Sequence, residues 1–227
     1  CNWCAETFLK RPGKAVAEYK TRKAFSDSMK KLIDNIADIP KKVEEFKQSS
    51  EEQKRQEAER LKEQELEAEG GLTVRVQEQA NITTAAALRD YIAAPQALKN
   101  GVRFRSGPLK LLGDGALGAR TAYLSRPYAD APETRGLSVF TPQEFDELIG
   151  IAHAAGMQTA VHCIGDGCLD LVLDSMEKAM TAHPRPDCRH SIVHCQITRP
   201  DQLERMARLG LHIYAQSIFL DYDIHIV

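Results

Sequence analysis

"AVHCIGDGCLD", residues 160–170, sets a histidine in a short apolar run that Gly-Asp-Gly then ends, and "SIVHCQITRPDQLE", residues 191–204, again sets a histidine before a cysteine in a short apolar run one unit later. Both runs are short, rich in β-branched residues and stopped by turn formers, so each reads as a buried strand. Each leads into a stretch with helical spacing, and a repeated strand-then-helix grammar is that of a parallel α/β sheet. Alternation along the first strand sends Ala160, His162 and Ile164 to one face and Val161 and Cys163 to the other. The same rule sends His194 and Gln196 one way and Val193 and Cys195 the other. Both histidines stand near the carboxyl ends of their strands, where α/β barrels and open sheets carry their sites. The expectation is two rings aimed into one mouth, as ligands of one divalent metal.

The two histidine strands span 157–165 and 190–197; across the rest of the chain, further strands are predicted at 72–78, 107–113 and 211–218, with helices at 84–94, 141–156, 167–183 and 199–210. Helix starts support this: Thr141 precedes Pro142 with Glu144 three residues on, Asp166 stands ready to cap the next helix, and Pro200-Asp201 opens the last. Gly156 and Gly210 close two of them. Upstream of Gly70-Gly71 the text differs. Residues 41–70 are a Glu/Lys/Gln/Arg-rich helical run, and Leu32, Ile33, Ile36, Ile39, Val43 and Phe46 form a stripe interrupted by Pro40. The expected organisation is a charged, coiled-coil-like helical segment over 1–70 and an α/β unit over 71–227. Self-association through the first would make a homo-oligomer.

Composition narrows the function classes. The 227 residues are 43% hydrophobic and 27% charged, with a formal charge of −2. No basic field for nucleic acid is present, nor an apolar run of membrane-spanning length, nor a signal-peptide pattern. A cytoplasmic protein with no nucleic-acid or membrane partner is expected. The six cysteines suit reduced thiols; "CNWC" at 1–4 has CxxC spacing but no second pair to complete a zinc site. A start at Cys1 suggests a piece of something longer.

One strand before the first histidine, "PLKLLGDGALGARTAYL" (108–124) holds Lys110 inside an apolar run. A buried ammonium is costly, so Lys110 either faces the mouth as a neutral amine, able to take up carbon dioxide as a carbamate, or turns its head outward or toward Asp114. The glycine-rich loop after this strand offers Asp114, Arg120 and Tyr123, and later Arg135, to a small-molecule substrate; Gln216 is the last pocket candidate. Surface ion pairing is the ordinary alternative for the arginines.

"KLLGDGALGARTAYLSRPYAD", "GMQTAVHCIGDGCLD" and "RHSIVHCQITRPDQLERMARLGLHIYAQSIF", in this order, resemble the amidohydrolase superfamily, in the branch of N-substituted formamide deformylases and related metal-dependent hydrolases. The resemblance covers about 66–227. It implies a (β/α)8 TIM-type barrel, here about five strands of it, with divalent metal, most often zinc, activating water against amide or related C–N bonds. It also implies that Lys110 matches the carboxylated lysine of strand four, His162 the ligand of strand five and His194 that of strand six.

The departures shape the expectation as much. The His-x-His pair of strand one is absent from the chain, and the general-base aspartate of strand eight is expected beyond Val227; Asp221 and Asp223 follow strand seven and do not take that role. The reading is therefore a fragment or fusion of a metal-dependent amidohydrolase, without full activity by itself and with no catalytic residue of its own assigned. The alternative is a non-catalytic interaction protein whose N-terminal helices associate and whose barrel piece is a remnant.

Overall fold

The computed structural model describes residues 55, 58–94, 101–219 and 221. The chain divides into Cys1–Glu57 and Ala58–Val227, and the described residues beyond Arg55 all belong to the second unit. The stripe from Leu32 to Phe46, the CxxC at 1–4, Asp223 and His225 lie outside the described residues. A helix over 58–68 opens the unit and ends at Gly70, whose φ of +72° is the left-handed turn that stops it.

Seven strands and four labelled helices come after it: β1 (Val76–Gln77), β2 (Ala80–Asn81), α1 (Ala85–Ala93), β3 (Phe104–Arg105), β4 (Leu109–Leu112), α2 (Pro142–Ala154), β5 (Thr159–Cys163), α3 (Asp166–Ala182), β6 (Ser191–His194), α4 (Pro200–Leu209) and β7 (His212–Tyr214). Five of the strands form one parallel sheet in the order β2-β4-β5-β6-β7, and β1 pairs with β3 in a parallel pair of its own. From β4 onward each strand is joined to its neighbour through one helix, which is the repeating unit of a (β/α) barrel, here in part. The expected run at 72–78 is strand only at Val76–Gln77 and lies outside the five-stranded sheet. β2, which the sequence reading did not anticipate, pairs with β4 in the sheet.

The sheet has two unlike faces. Leu109, Leu111, Val161, Cys163 and Ile192 point to the helix side and pack with Phe145, Ile149, Leu169, Leu173 and Met176. Each large apolar side chain so buried contributes roughly 1.5–3 kcal/mol. The other face carries Lys110 and Leu112 from β4; Asn81 pairs with Lys110, Lys110 with Ala160, and Leu112 with His162.

Helix ends obey local chemistry. Thr141 forms the expected capping box, its side chain accepting from the Glu144 amide while the Glu144 carboxylate accepts from the Thr141 amide at 2.7 Å. Thr84 accepts from the Ala87 amide at 3.3 Å, and Gly210 closes α4 at φ +63°. Asp166 does not cap α3. Gly165 holds that position, and Asp166 is the first helical residue, its carboxylate drawn away toward Ser125 and Arg199.

Candidate metal centre

His162 lies on β5 with its ring on the face of Lys110 and Ala160. Its Nε2 sits 3.0 Å from the Gly115 carbonyl and 3.3 Å from Asp114 Oδ1. A carbonyl only accepts, so Nε2 carries the proton and Nδ1 is the nitrogen with a free lone pair.

His194 reaches the same place by a different route from the one alternation predicts. The register pairs Cys163 with His194 and Val193 with His162. The two histidines are therefore not at matching positions but one residue out of step, and in a regular strand they would face opposite sides. Backbone conformation corrects the step: His194 has φ +72° and Cys195 φ +51°. Left-handed backbone at a branched or bulky residue carries strain that surrounding structure must hold in place. Here it turns the His194 ring across to His162, centroid to centroid 4.6 Å at an interplanar angle of 76°, with Phe219 edge-on behind it at 5.9 Å. Cys195 packs on Met206 on the helix side, and Cys163 lies 3.8 Å from Cys168, so both thiols point away from the histidines as expected.

The donor set suits a cation. His194 Nδ1 is buried with no hydrogen-bond partner among the described residues, while the Gln216 side chain bonds the ring. Each histidine thus has one nitrogen anchored and one free, the arrangement that metal-ligating imidazoles need. Burial, then the neighbouring His162 and Lys110, hold His194 below the usual histidine range, which favours the neutral ligand form. Lys110 is half-buried on the same face, and burial lowers its ammonium from the usual lysine value, Cys163 opposing this by less. Its neighbour Asn81 has a buried Oδ1 without a partner among the described residues. Sequence reasoning missed Asn81, because a two-residue strand carries no alternation to read.

The remaining candidates separate. Asp114 is buried and spent on backbone: its carboxylate accepts from the amides of Tyr123, Ile164 and Gly165 at 3.0, 3.0 and 2.8 Å. It fastens the loop after β4 to the end of β5 and braces His162, and it pairs with neither Lys110 nor open solvent. Tyr123 and Arg135 hold each other, the guanidinium bonding the phenol oxygen at 2.9 Å and the Leu124 carbonyl at 3.1 Å. Arg120 is not brought to the centre; it is exposed and paired with Asp130 and the Gly118 carbonyl. Gln216 is exposed beside His194.

Gly-Asp-Gly acts as a joint. A Cβ at Gly165 would lie 2.1 Å from the Tyr123 carbonyl and one at Gly167 2.9 Å from Leu124, so only glycine lets the loop lie on the start of α3. Asp166 between them takes the Ser125 amide at 2.8 Å and hydroxyl, and Arg199 at 3.0 Å.

A cavity of about 700 Å³ opens elsewhere, at the amino ends of the strands, lined by Pro108, Gln158, Arg185, Cys188 and Tyr214 among others. It contains none of Lys110, His162 and His194; the free donor atoms, not the volume, mark the candidate centre. Beside that cavity the structure places a second group of potential ligands, His153, Cys188 and His190. His153, at the end of α2, sets Nδ1 2.8 Å from His190 Nε2, and Cys188 adjoins both. Burial, then His153 and Arg185, push His190 down to about 4.

The family model described as "Amidohydrolase family" matches residues 35–227, so the chain belongs to the amidohydrolase family. YtcJ of Bacillus subtilis (strain 168), which bears the name of an amidohydrolase, is 39% identical over 118 residues, covering 52% of this chain and 22% of that protein. Protein LONG AFTER FAR-RED 3 of Arabidopsis thaliana is 35% identical over 109 residues, covering 48% and 18%. Among solved structures, an uncharacterized metal-dependent hydrolase from Pyrococcus furiosus aligns with a TM-score of 0.59 at 38% identity, over 70% of this chain and 32% of that one. One from Pyrococcus horikoshii OT3 does so at 0.59 and 36%, over 70% and 31%. The matched part of the chain spans about a fifth of the curated relatives' length and about a third of the solved chains'. Among the described residues no helix is long and apolar enough to cross a membrane.

Proposed function

We propose that this chain carries the central metal-binding portion of a metal-dependent amidohydrolase that cleaves amide or other non-peptide C–N bonds, in the manner of the N-substituted formamide deformylase-like branch. The observation that carries the reading is the meeting of His162 and His194, each with one ring nitrogen anchored and one free, beside a half-buried lysine on the same face. Lys110, His162 and His194 are the ligands in this reading, and zinc is the ion that best suits neutral imidazoles with an oxygen donor. When bound, a divalent ion acidifies water and polarises a scissile carbonyl.

The chain's own residues prepare that chemistry. His162 gives its Nε2 proton to the Gly115 carbonyl and so presents Nδ1; His194 is aimed by its left-handed backbone and held by Gln216. Lys110, with its ammonium disfavoured by burial, supplies an amine that can attack carbon dioxide, forming one N–C bond and releasing one proton to give a carbamate oxygen donor. Tyr123 and Arg135, on the loop that Asp114 and Asp166 fasten over the strand ends, are the nearest candidates to line a substrate pocket. The setting is cytoplasmic, where Cys163, Cys168, Cys188 and Cys195 stay free thiols, as they are in the structure.

In this reading turnover belongs to a barrel completed to the relatives' length. Such a protein, assayed on N-substituted formamides and simple amides, should lose activity on chelation. It should fall by more than roughly 100-fold in His162→Ala, since even a supporting partner of a metal ligand is worth 10–100-fold. Turnover that survives both treatments contradicts the reading.

A further inference from the structure

We propose that His153, Cys188 and His190 form a second metal site, for a thiophilic transition ion of the zinc class, at the end of the sheet opposite the His162–His194 mouth. One ligand atom from each of the three buried residues lies within 4.8 Å of the others. They join two parts of the fold: His153 stands in the last turn of α2, and Cys188 and His190 both stand in the connection between α3 and β6, His190 directly before the strand. Two imidazoles and one thiolate are a zinc-type donor set, and a fourth position remains for water or an outside ligand. Cys188 lines the cavity at the amino ends of the strands, which gives an ion a path in and an open side. Left-handed backbone on either side of Cys188, at Asp187 (φ +50°) and Arg189 (φ +51°), sets the turn that carries this residue.

The supporting shell is already built. His153 Nε2 is 2.7 Å from the His183 carbonyl, which can only accept, so Nδ1 of His153 is the nitrogen with the lone pair. His190 Nδ1 has two neighbours on Thr159, the amide at 3.0 Å and Oγ1 at 2.9 Å. With the amide donating, Nε2 carries the proton and gives it to His153 Nδ1, which closes a chain of hydrogen bonds without an ion. With Oγ1 accepting instead, the proton sits on Nδ1 and Nε2 turns its lone pair to the same point as His153 Nδ1. The 2.8 Å between those nitrogens is a hydrogen-bond distance; two nitrogens on one tetrahedral zinc stand roughly 3.4 Å apart, so the rings part slightly when an ion enters. Proton accounting is simple. His190 exchanges one ring proton for another, Cys188 loses its thiol proton together with its bond to the Arg185 carbonyl, and one proton is released per ion bound. The cost is one backbone hydrogen bond at Thr159, small beside three metal–ligand bonds.

Cobalt(II) tests this directly in the full chain, because a thiolate ligand gives Co(II) a near-ultraviolet charge-transfer band and the His162–His194 mouth has no thiol aimed at it. The wild-type chain should show the band, and it should persist in the His162→Ala/His194→Ala variant and in Cys1→Ser/Cys4→Ser. Cys188→Ser should abolish it, and His153→Gln should weaken cobalt binding by at least about tenfold, with circular dichroism showing both folded. Absence of the band from the wild-type chain, its survival in Cys188→Ser, or its loss with Cys1 and Cys4 overturns the proposal. In those cases the three side chains are a proton-filled latch and nothing more.

Discussion

His194 shows how much a single backbone angle decides. The pairing of β5 with β6 puts it one residue beyond the place where its ring would meet His162, and φ +72° restores the meeting. No glycine or asparagine announces that turn, so the strand pattern alone pointed to two equivalent positions where the register has two offset ones. Gly165 is the opposite case, a position whose residue type is dictated by contact. Gly165→Ala would force a methyl group to within 2.1 Å of the Tyr123 carbonyl. The expected loss is about 1–3 kcal/mol, as for other overpacked sites, read as a lower denaturation midpoint with the slope unchanged. Asp166 carries a pH signature. Burial pushes its carboxyl up, but the Ser125 hydroxyl and amide and the Arg199 guanidinium outweigh this and hold it below the usual aspartate value. Its contribution to stability is therefore full above the unfolded value of about 4 and disappears as pH falls through the lower folded value. Asp166→Asn should lower stability near neutral pH and flatten its decline in that acid window; an unchanged acid profile would show that Asp166 is not a source of it.

At the level of helices and strands, the agreement between text and fold is closest where several local signals coincide. Thr141, Pro142 and Glu144 spell a capped helix start, and the structure has that box. Thr141→Ala should cost about 1 kcal/mol, measured by chemical denaturation, while a change of a few tenths would mean that packing of α2 holds the helix start unaided. Runs with clear alternation over four or five residues, β4, β5 and β6, were readable within a few residues at each end. β2 and β3, with two residues each, were not, because periodicity needs more length than they have. Asp166 was misplaced as a cap for a different reason: its partners, Ser125 and Arg199, belong to other segments, and no local rule anticipates a carboxylate drawn across the fold. The contact of His153 with His190 was hidden in the same way, since α2 and the start of β6 meet only in three dimensions.

For the whole unit, a parallel sheet of five strands leaves β2 and β7 as edges among the described residues, and its inner face exposes Leu112 at 48%, with Tyr214 of β7 at 57%. Unpaired strand edges and apolar inner faces favour association. Light scattering over a dilution series should show the chain associating more readily than a barrel completed to the relatives' length; equal behaviour would mean that the open face is covered within this chain. Among the described residues Lys110 and His162 share that face, and His194 meets His162 on it. The metal-binding reading rests on that assembly, and metal content is its plainest test: zinc per chain after exhaustive dialysis, in the wild type and in His162→Ala/His194→Ala. One equivalent fewer is expected in the double variant, whatever the His153–Cys188–His190 group retains; equal content in the two would refute the site.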